Sequence, residues 1–153
     1  MRSIAIDTNL LILLIAGSCD PARIGQARRL KNFEAGDLQI VHDFVNDFER
    51  HVSLPNVLTE ASNLMFDDGI EIAPGAAAVF KRYVASLDER FIRSEDIVRQ
   101  GAFDGIGITD GALLLLARQG VTIFSDDFRL CGRVTALGGQ ARNFNHLRWG
   151  GMY

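Results

Sequence analysis

The chain has 153 residues, of which 48% are hydrophobic and 23% charged; that length favours one hydrophobic core, and that balance excludes disorder and a low-complexity scaffold. Sixteen basic residues against nineteen acidic ones give a net charge of −3, which excludes a uniformly basic nucleic-acid coat but leaves room for a local basic rim. Two cysteines, Cys19 and Cys131, are too few for a disulfide framework or a Cys-based zinc site and fit a reducing cytoplasm. No stretch approaches the roughly 18 apolar residues of a membrane span. The longest, residues 10–16, follows Asp7, and that aspartate also argues against reading the segment up to Cys19 as a lipoprotein signal.

In chain order, residues 3–6 predict a short strand that ends at Asp7, after which Thr8 or Asn9 caps an apolar helix broken at Gly17. Residues 22–33, with Ile24, Ala27, Leu30 and Phe33 at helical spacing, predict a second helix. Residues 38–41 read as a strand entered through Gly36-Asp37, and residues 43–50 as a helix. Pro55 opens a helix through Phe66, and residues 75–87 form another. Residues 90–93 read as a third strand, and Ser94 caps a short helix. Asp110 begins a very apolar helix that stops at Gly120. Residues 121–124 are the clearest strand, followed by a helix over 126–136 and an edge strand over 141–144. The alternation predicts an α/β fold with a mostly parallel sheet covered on both faces. The tail, residues 146–153 with Trp149 between polar and glycine positions, reads as loosely docked or as a subunit contact.

In such sheets ligands bind beyond the carboxyl ends of the strands, so acidic residues there carry chemical interest. Asp7 ends the first strand, Ser125-Asp126-Asp127 follow the strand over 121–124, Asp110 starts a helix, and Glu60 lies within one. Each also has a plain structural role open to it: a helix cap for Asp7 or Asp110, first-turn charge for Asp126 and Asp127, a solvated face for Glu60. Asp7 fits that plain role least well, because it interrupts two apolar runs, and a carboxylate between buried segments should be paired or bound to a metal.

Ile6-Asp7-Thr8-Asn9-Leu10, Val57-Leu58-Thr59-Glu60-Ala61, Ile108-Thr109-Asp110-Gly111-Ala112 and Ile123-Phe124-Ser125-Asp126-Asp127 together resemble the PIN-domain nucleases. The four blocks occur in the family's order and span most of the chain. The resemblance implies a single PIN-like nuclease domain over 1–153 and a three-layer α/β/α sandwich. It implies a metal-dependent endoribonuclease that leaves 5′-phosphate products, similar to the single-domain toxins of toxin–antitoxin pairs, with RNA as substrate, an antitoxin partner and a homodimeric state. Asp7, Glu60, Asp110 and Asp127 match the acidic positions, with Asp126 as the competing neighbour for the fourth. Asn9 and Ser125 would orient the loop or a phosphate, and Asp104 is a further candidate. The cofactor implied is Mg²⁺ or Mn²⁺, hard cations that take carboxylate oxygens and activate a bound water without a histidine base. His42, His51 and His146 match no block of the family.

Two features depart from the family pattern. Gly105, Gly107 and Gly111 should loosen the chain around Asp110, and the net charge is acidic, leaving Arg28, Arg29 and Lys31 on one helix and Arg129 and Arg133 on another as the candidate basic rim. Competing enzyme classes fail on particular residues. An Asp-x-Asp phosphatase needs an aspartate at Asn9, and a dinucleotide fold needs a Gly-rich turn where Asp7-Thr8-Asn9 stands. Neither a Walker A sequence nor a Gly-x-Ser-x-Gly elbow occurs, and a receiver-like phosphoacceptor lacks a strand-end lysine, since Lys31 and Lys81 are the two present. The non-enzyme alternative is a catalytically silent PIN-like module for RNA binding or protein assembly.

Overall fold

Ile4, Ala5 and Ile6 are consecutive and all buried; a strand with both faces covered must lie inside a layered structure. The computed structural model describes residues 1–150, without the side chains of Asp68 and Ala102. This strand, β1 (Ser3–Ile6), is the centre of a five-stranded sheet. β2 (Arg50–Ser53) and β4 (Thr122–Ser125) flank it, and β3 (Asp88–Glu89) and β5 (Ala141–Asn143) form the edges. Every pairing is parallel, with Ala5 opposite both Val52 and Ile123. The expected three-layer α/β/α sandwich is the fold, and its sheet is wholly parallel.

The strand order β3-β2-β1-β4-β5 means the chain builds outward from β1 in one direction, then crosses over and builds outward in the other. The crevice between the carboxyl ends of β1 and β4 is therefore a topological switch point, where parallel sheets bind ligands. Helices α1 (Thr8–Cys19) and α3 (Pro55–Met65) follow β1 and β2, and α6 (Ile108–Arg118) leads into β4. α4 (Ala76–Ser86) and α5 (Ser94–Arg99) lie between, α7 (Phe128–Ala136) joins β4 to β5, and α8 (Phe144–Arg148) follows β5. One continuous apolar cluster runs through both layers, from Leu10, Leu11 and Ile15 of α1 to Leu113 and Leu116 of α6 and Phe144 of α8. None of the described helices is long and apolar enough to cross a membrane.

Several expected elements differ. Residues 38–41 are not a strand but part of α2 (Asp37–Val45), where Val41 and Val45 bury one helical face four residues apart; a short apolar run alone cannot separate the two states. The expected helix over 43–50 ends with α2, and Arg50 opens β2 instead, a strand in which only Val52 and Ser53 are buried. Residues 22–33 are two single 3₁₀ turns, Pro21–Arg23 and Arg28–Leu30, divided at Gly25, whose φ of 80° no helix accommodates. Arg28, Arg29 and Lys31 are thus exposed turn residues and do not share a helix. β3 is Asp88–Glu89, two residues before the predicted start, although the Arg90 amide still donates to the Ser53 carbonyl at 2.9 Å. α1 runs through Gly17, and the tail residues 151–153 lie outside the described residues.

Candidate functional site

β1 and β4 run side by side and end together, so Asp7 and Ser125 must meet. The Asp7 amide donates to the Phe124 carbonyl at 2.9 Å, which carries the β1–β4 ladder one residue past the strand. Asp7 then caps α1: its Oδ1 accepts from the Thr8 amide at 2.8 Å, and its Oδ2 accepts from the Ser125 hydroxyl at 2.6 Å. Ser125 Oγ in turn accepts from the Asp127 amide at 3.0 Å, and Asp127 Oδ1 caps α7 by accepting from the Arg129 and Leu130 amides at 2.7 and 3.2 Å. One hydroxyl therefore links the Asp7 carboxylate to the backbone amide of Asp127. Asn9, exposed on α1, hydrogen-bonds Asp126.

Asp110 lies in the first turn of α6, whose cap is Gly107 and which has no side-chain cap. Asp110 is therefore free of the capping task open to it from sequence, and it faces a cleft of about 140 Å³ with Asp127, Arg129 and Arg133. Glu60, exposed on α3, borders the adjoining groove together with Asn56, Asn63 and Thr109. Asp104 is exposed and is not among the charges that act on Asp110. Nor do the glycines loosen this stretch uniformly. A Cβ on Gly111 would stand 2.6 Å from Ile97 Cγ2, and the Gly111 carbonyl accepts from Gln100 at 2.8 Å, so Gly111 lets α5 press directly against α6 beneath Asp110.

The electrostatics bind these positions into one cluster. Burial raises the Asp7 carboxyl to about 6 against the pull of its Ser125 and Thr8 hydrogen bonds, and the charges of Asp110 and Asp126 push the same way. Burial also raises Asp110, reinforced by Asp127 and Glu60 and opposed by Arg133. Asp126 is raised by burial and Asp127, against hydrogen bonds from its own backbone and Asn9 and the charge of Arg148. Cys131, whose burial and the charges of Asp7, Asp127 and Asp126 push it up to about 12, stays a neutral thiol behind the cluster. Each of the five carboxylates thus acts on at least one other: Asp7 is paired with Asp110 and Asp126, Asp110 with Asp127 and Glu60, and Asp126 with Asp127.

Such mutually repelling, partly desolvated carboxylates carry an excess of negative charge that a hard divalent cation would neutralise, and oxygen is the donor it takes. The donor set fits Mg²⁺ or Mn²⁺ chemically. As placed, no three acidic, histidine or cysteine side chains among the described residues converge tightly enough to enclose an ion. Mg²⁺ needs no such enclosure, since it commonly takes one or two carboxylates and keeps several waters. Comparison of the sequence with protein-family models and with curated proteins gives no match.

Sequence reasoning missed what supports the cluster. Asp37, buried at the start of α2, accepts from Arg148 Nε at 3.2 Å and also pairs with Arg148 Nη2, which donates to the Asn32 carbonyl at 2.8 Å. Asn145 Nδ2 donates to the Asp126 carbonyl at 3.2 Å. Partners more than a hundred residues apart leave no local signal for the Asp37–Arg148 pair.

Proposed function

We propose that this chain is a Mg²⁺- or Mn²⁺-dependent endoribonuclease of the PIN type, acting on RNA in the cytoplasm as the toxin of a toxin–antitoxin pair, and working as a homodimer held in check by an antitoxin. The observation that carries the reading is the carboxylate cluster at the β1–β4 switch point, with Asp7 raised to about 6 among acidic neighbours. Asp7, Asp110 and Asp127 would hold the metal, with Asp126 and Glu60 at its flanks. When bound, the cation lowers the pKa of a water and neutralises charge on the leaving oxygen. Ser125 orients the Asp7 carboxylate, Asn9 orients Asp126, and Arg129 and Arg133 offer the phosphate a cationic wall beside the acidic one. Incubating the purified protein with a panel of structured and unstructured RNAs in Mg²⁺, Mn²⁺ or EDTA tests the reading. Cleavage in either metal that stops in EDTA supports it; cleavage indifferent to EDTA removes the metal mechanism.

A second reading has one observation behind it. Asp7 and Asp127 are both tied into helix caps, and among the described residues no closed metal cage stands ready, as would suit a catalytically silent module for RNA binding or protein assembly. RNA binding without cleavage in either metal would favour that reading.

A further inference from the structure

Directly after Asp127 the surface turns aromatic. Phe128 and Trp149 are each 51% exposed. Their rings stack with centroids 6.1 Å apart and planes at 27°, and His146 meets the Phe128 ring edge-on at 5.6 Å. Two large rings facing water are an unusual use of apolar surface, and here they are rigidly placed. Asn143 caps α8 through the Asn145 amide, Asn145 ties α8 to the Asp126 carbonyl, and Arg148 anchors it to Asp37. Arg129, next to Phe128 and exposed, lines the acidic cleft together with Arg133.

We infer that Phe128 and Trp149 form a stacking platform for an unpaired RNA base flanking the carboxylate cluster. The inference rests on the nuclease reading and names how its substrate is held. Single strands are gripped by aromatic faces beside a cationic track, because every base has a π-face and every linkage a phosphate. Arg129 and Arg133 supply the cations, and Phe128 stands in the chain between Asp127 and Arg129, which both line the cleft with Asp110. Paired RNA keeps its bases in the helix and cannot use the rings.

Trp149 is the chain's only tryptophan, so its emission reports on the platform alone. The test titrates the protein with octauridylate and octaadenylate in EDTA, where metal-dependent cleavage is stopped. Saturable quenching by both is expected, with none from an RNA duplex of the same length. Phe128→Ala should weaken oligonucleotide binding about ten-fold, with circular dichroism unchanged, and Phe128→Tyr should restore it. Absence of quenching, or equal binding by parent and Phe128→Ala, overturns the inference. So does sedimentation in which Phe128→Ala alone converts dimer to monomer, which would make the rings a contact between copies. Quenching without cleavage in Mg²⁺ or Mn²⁺ leaves the platform standing while the nuclease reading falls. Metal-dependent cleavage without quenching does the reverse.

Discussion

Asp7 combines two tasks that usually fall to different residues: it caps α1 through Thr8 and holds a partly desolvated charge against Ser125. Its carboxyl sits near 6 instead of the ordinary 3.8, so the folded state keeps a proton that the unfolded chain has released. In EDTA, that contribution to stability is complete below about pH 4 and is lost as pH rises through about 6. Asp110 and Asp126 shift in the same direction. Asp7→Asn mimics the protonated acid: it keeps one oxygen acceptor for Thr8, turns an N–H donor toward Ser125 Oγ and cannot ionise. Its melting temperature in EDTA should exceed the parent's at pH 7.5 by roughly 3–6 °C and converge with it near pH 4, while RNA cleavage is abolished. Parallel melting curves across that range would show that the Asp7 charge is not strained. Asp7 was legible in the sequence because it splits two apolar runs. The choice between Asp126 and Asp127 was not, since adjacent residues share one sequence signal while their side chains diverge. Asp127 faces the cleft with Asp110, and Asp126 leans toward Asp7 and Asn9. We expect Asp127→Asn to reduce metal-dependent turnover more than Asp126→Asn, as measured by initial rates at saturating Mg²⁺. The opposite ranking would move the fourth metal contact to Asp126.

At the scale of elements, the segments that position the site were the most readable. β1, β4, α3 and α6 all fall where strand-end aspartates, Pro55 and apolar periodicity place them, to within two residues. The failures cluster in residues 22–53, where a helix stood for two 3₁₀ turns, a strand for α2 and a helix for the start of β2. There each element is short, and tertiary contacts decide between states that local pattern leaves nearly equal. β2 is a strand because β1 and β3 accept it as a neighbour, not because Arg50-His51-Val52-Ser53 favours one. Gly111 illustrates a different limit: its sequence context suggested freedom, whereas the packing of Ile97 and Gln100 on it demands a missing side chain. Gly111→Ala should destabilise the protein by about 1–3 kcal/mol through overpacking and reduce cleavage beyond that, because the displaced turn of α6 carries Asp110. Unchanged stability in chemical denaturation would mean that Ile97 yields freely.

Across the whole molecule, charge is separated from the scaffold that places it. The sheet and its apolar layers bring together residues 7, 60, 110, 126 and 127 from four parts of the chain, while the Asp37–Arg148 pair locks α8 to α2. That pair is mostly buried, and removing one partner strands the other. Asp37→Leu should cost about 3–5 kcal/mol in urea denaturation; a loss below 1 kcal/mol would show α8 to be held by Phe144 packing alone. The central claim is that the clustered carboxylates form a divalent-cation site, and Asp110 tests it best because it caps nothing. Asp110→Asn gives up a favourable first-turn charge, worth about 0.3–1 kcal/mol, but relieves repulsion from Asp127 and Glu60. In EDTA the variant should therefore melt at or above the parent's temperature. Added Mg²⁺ should stabilise the parent by mass action and the variant clearly less. Thermal melts of the two proteins, each in EDTA and in Mg²⁺, decide the matter: a smaller Mg²⁺ shift in Asp110→Asn is the predicted result, and identical shifts would contradict a metal site built on Asp110.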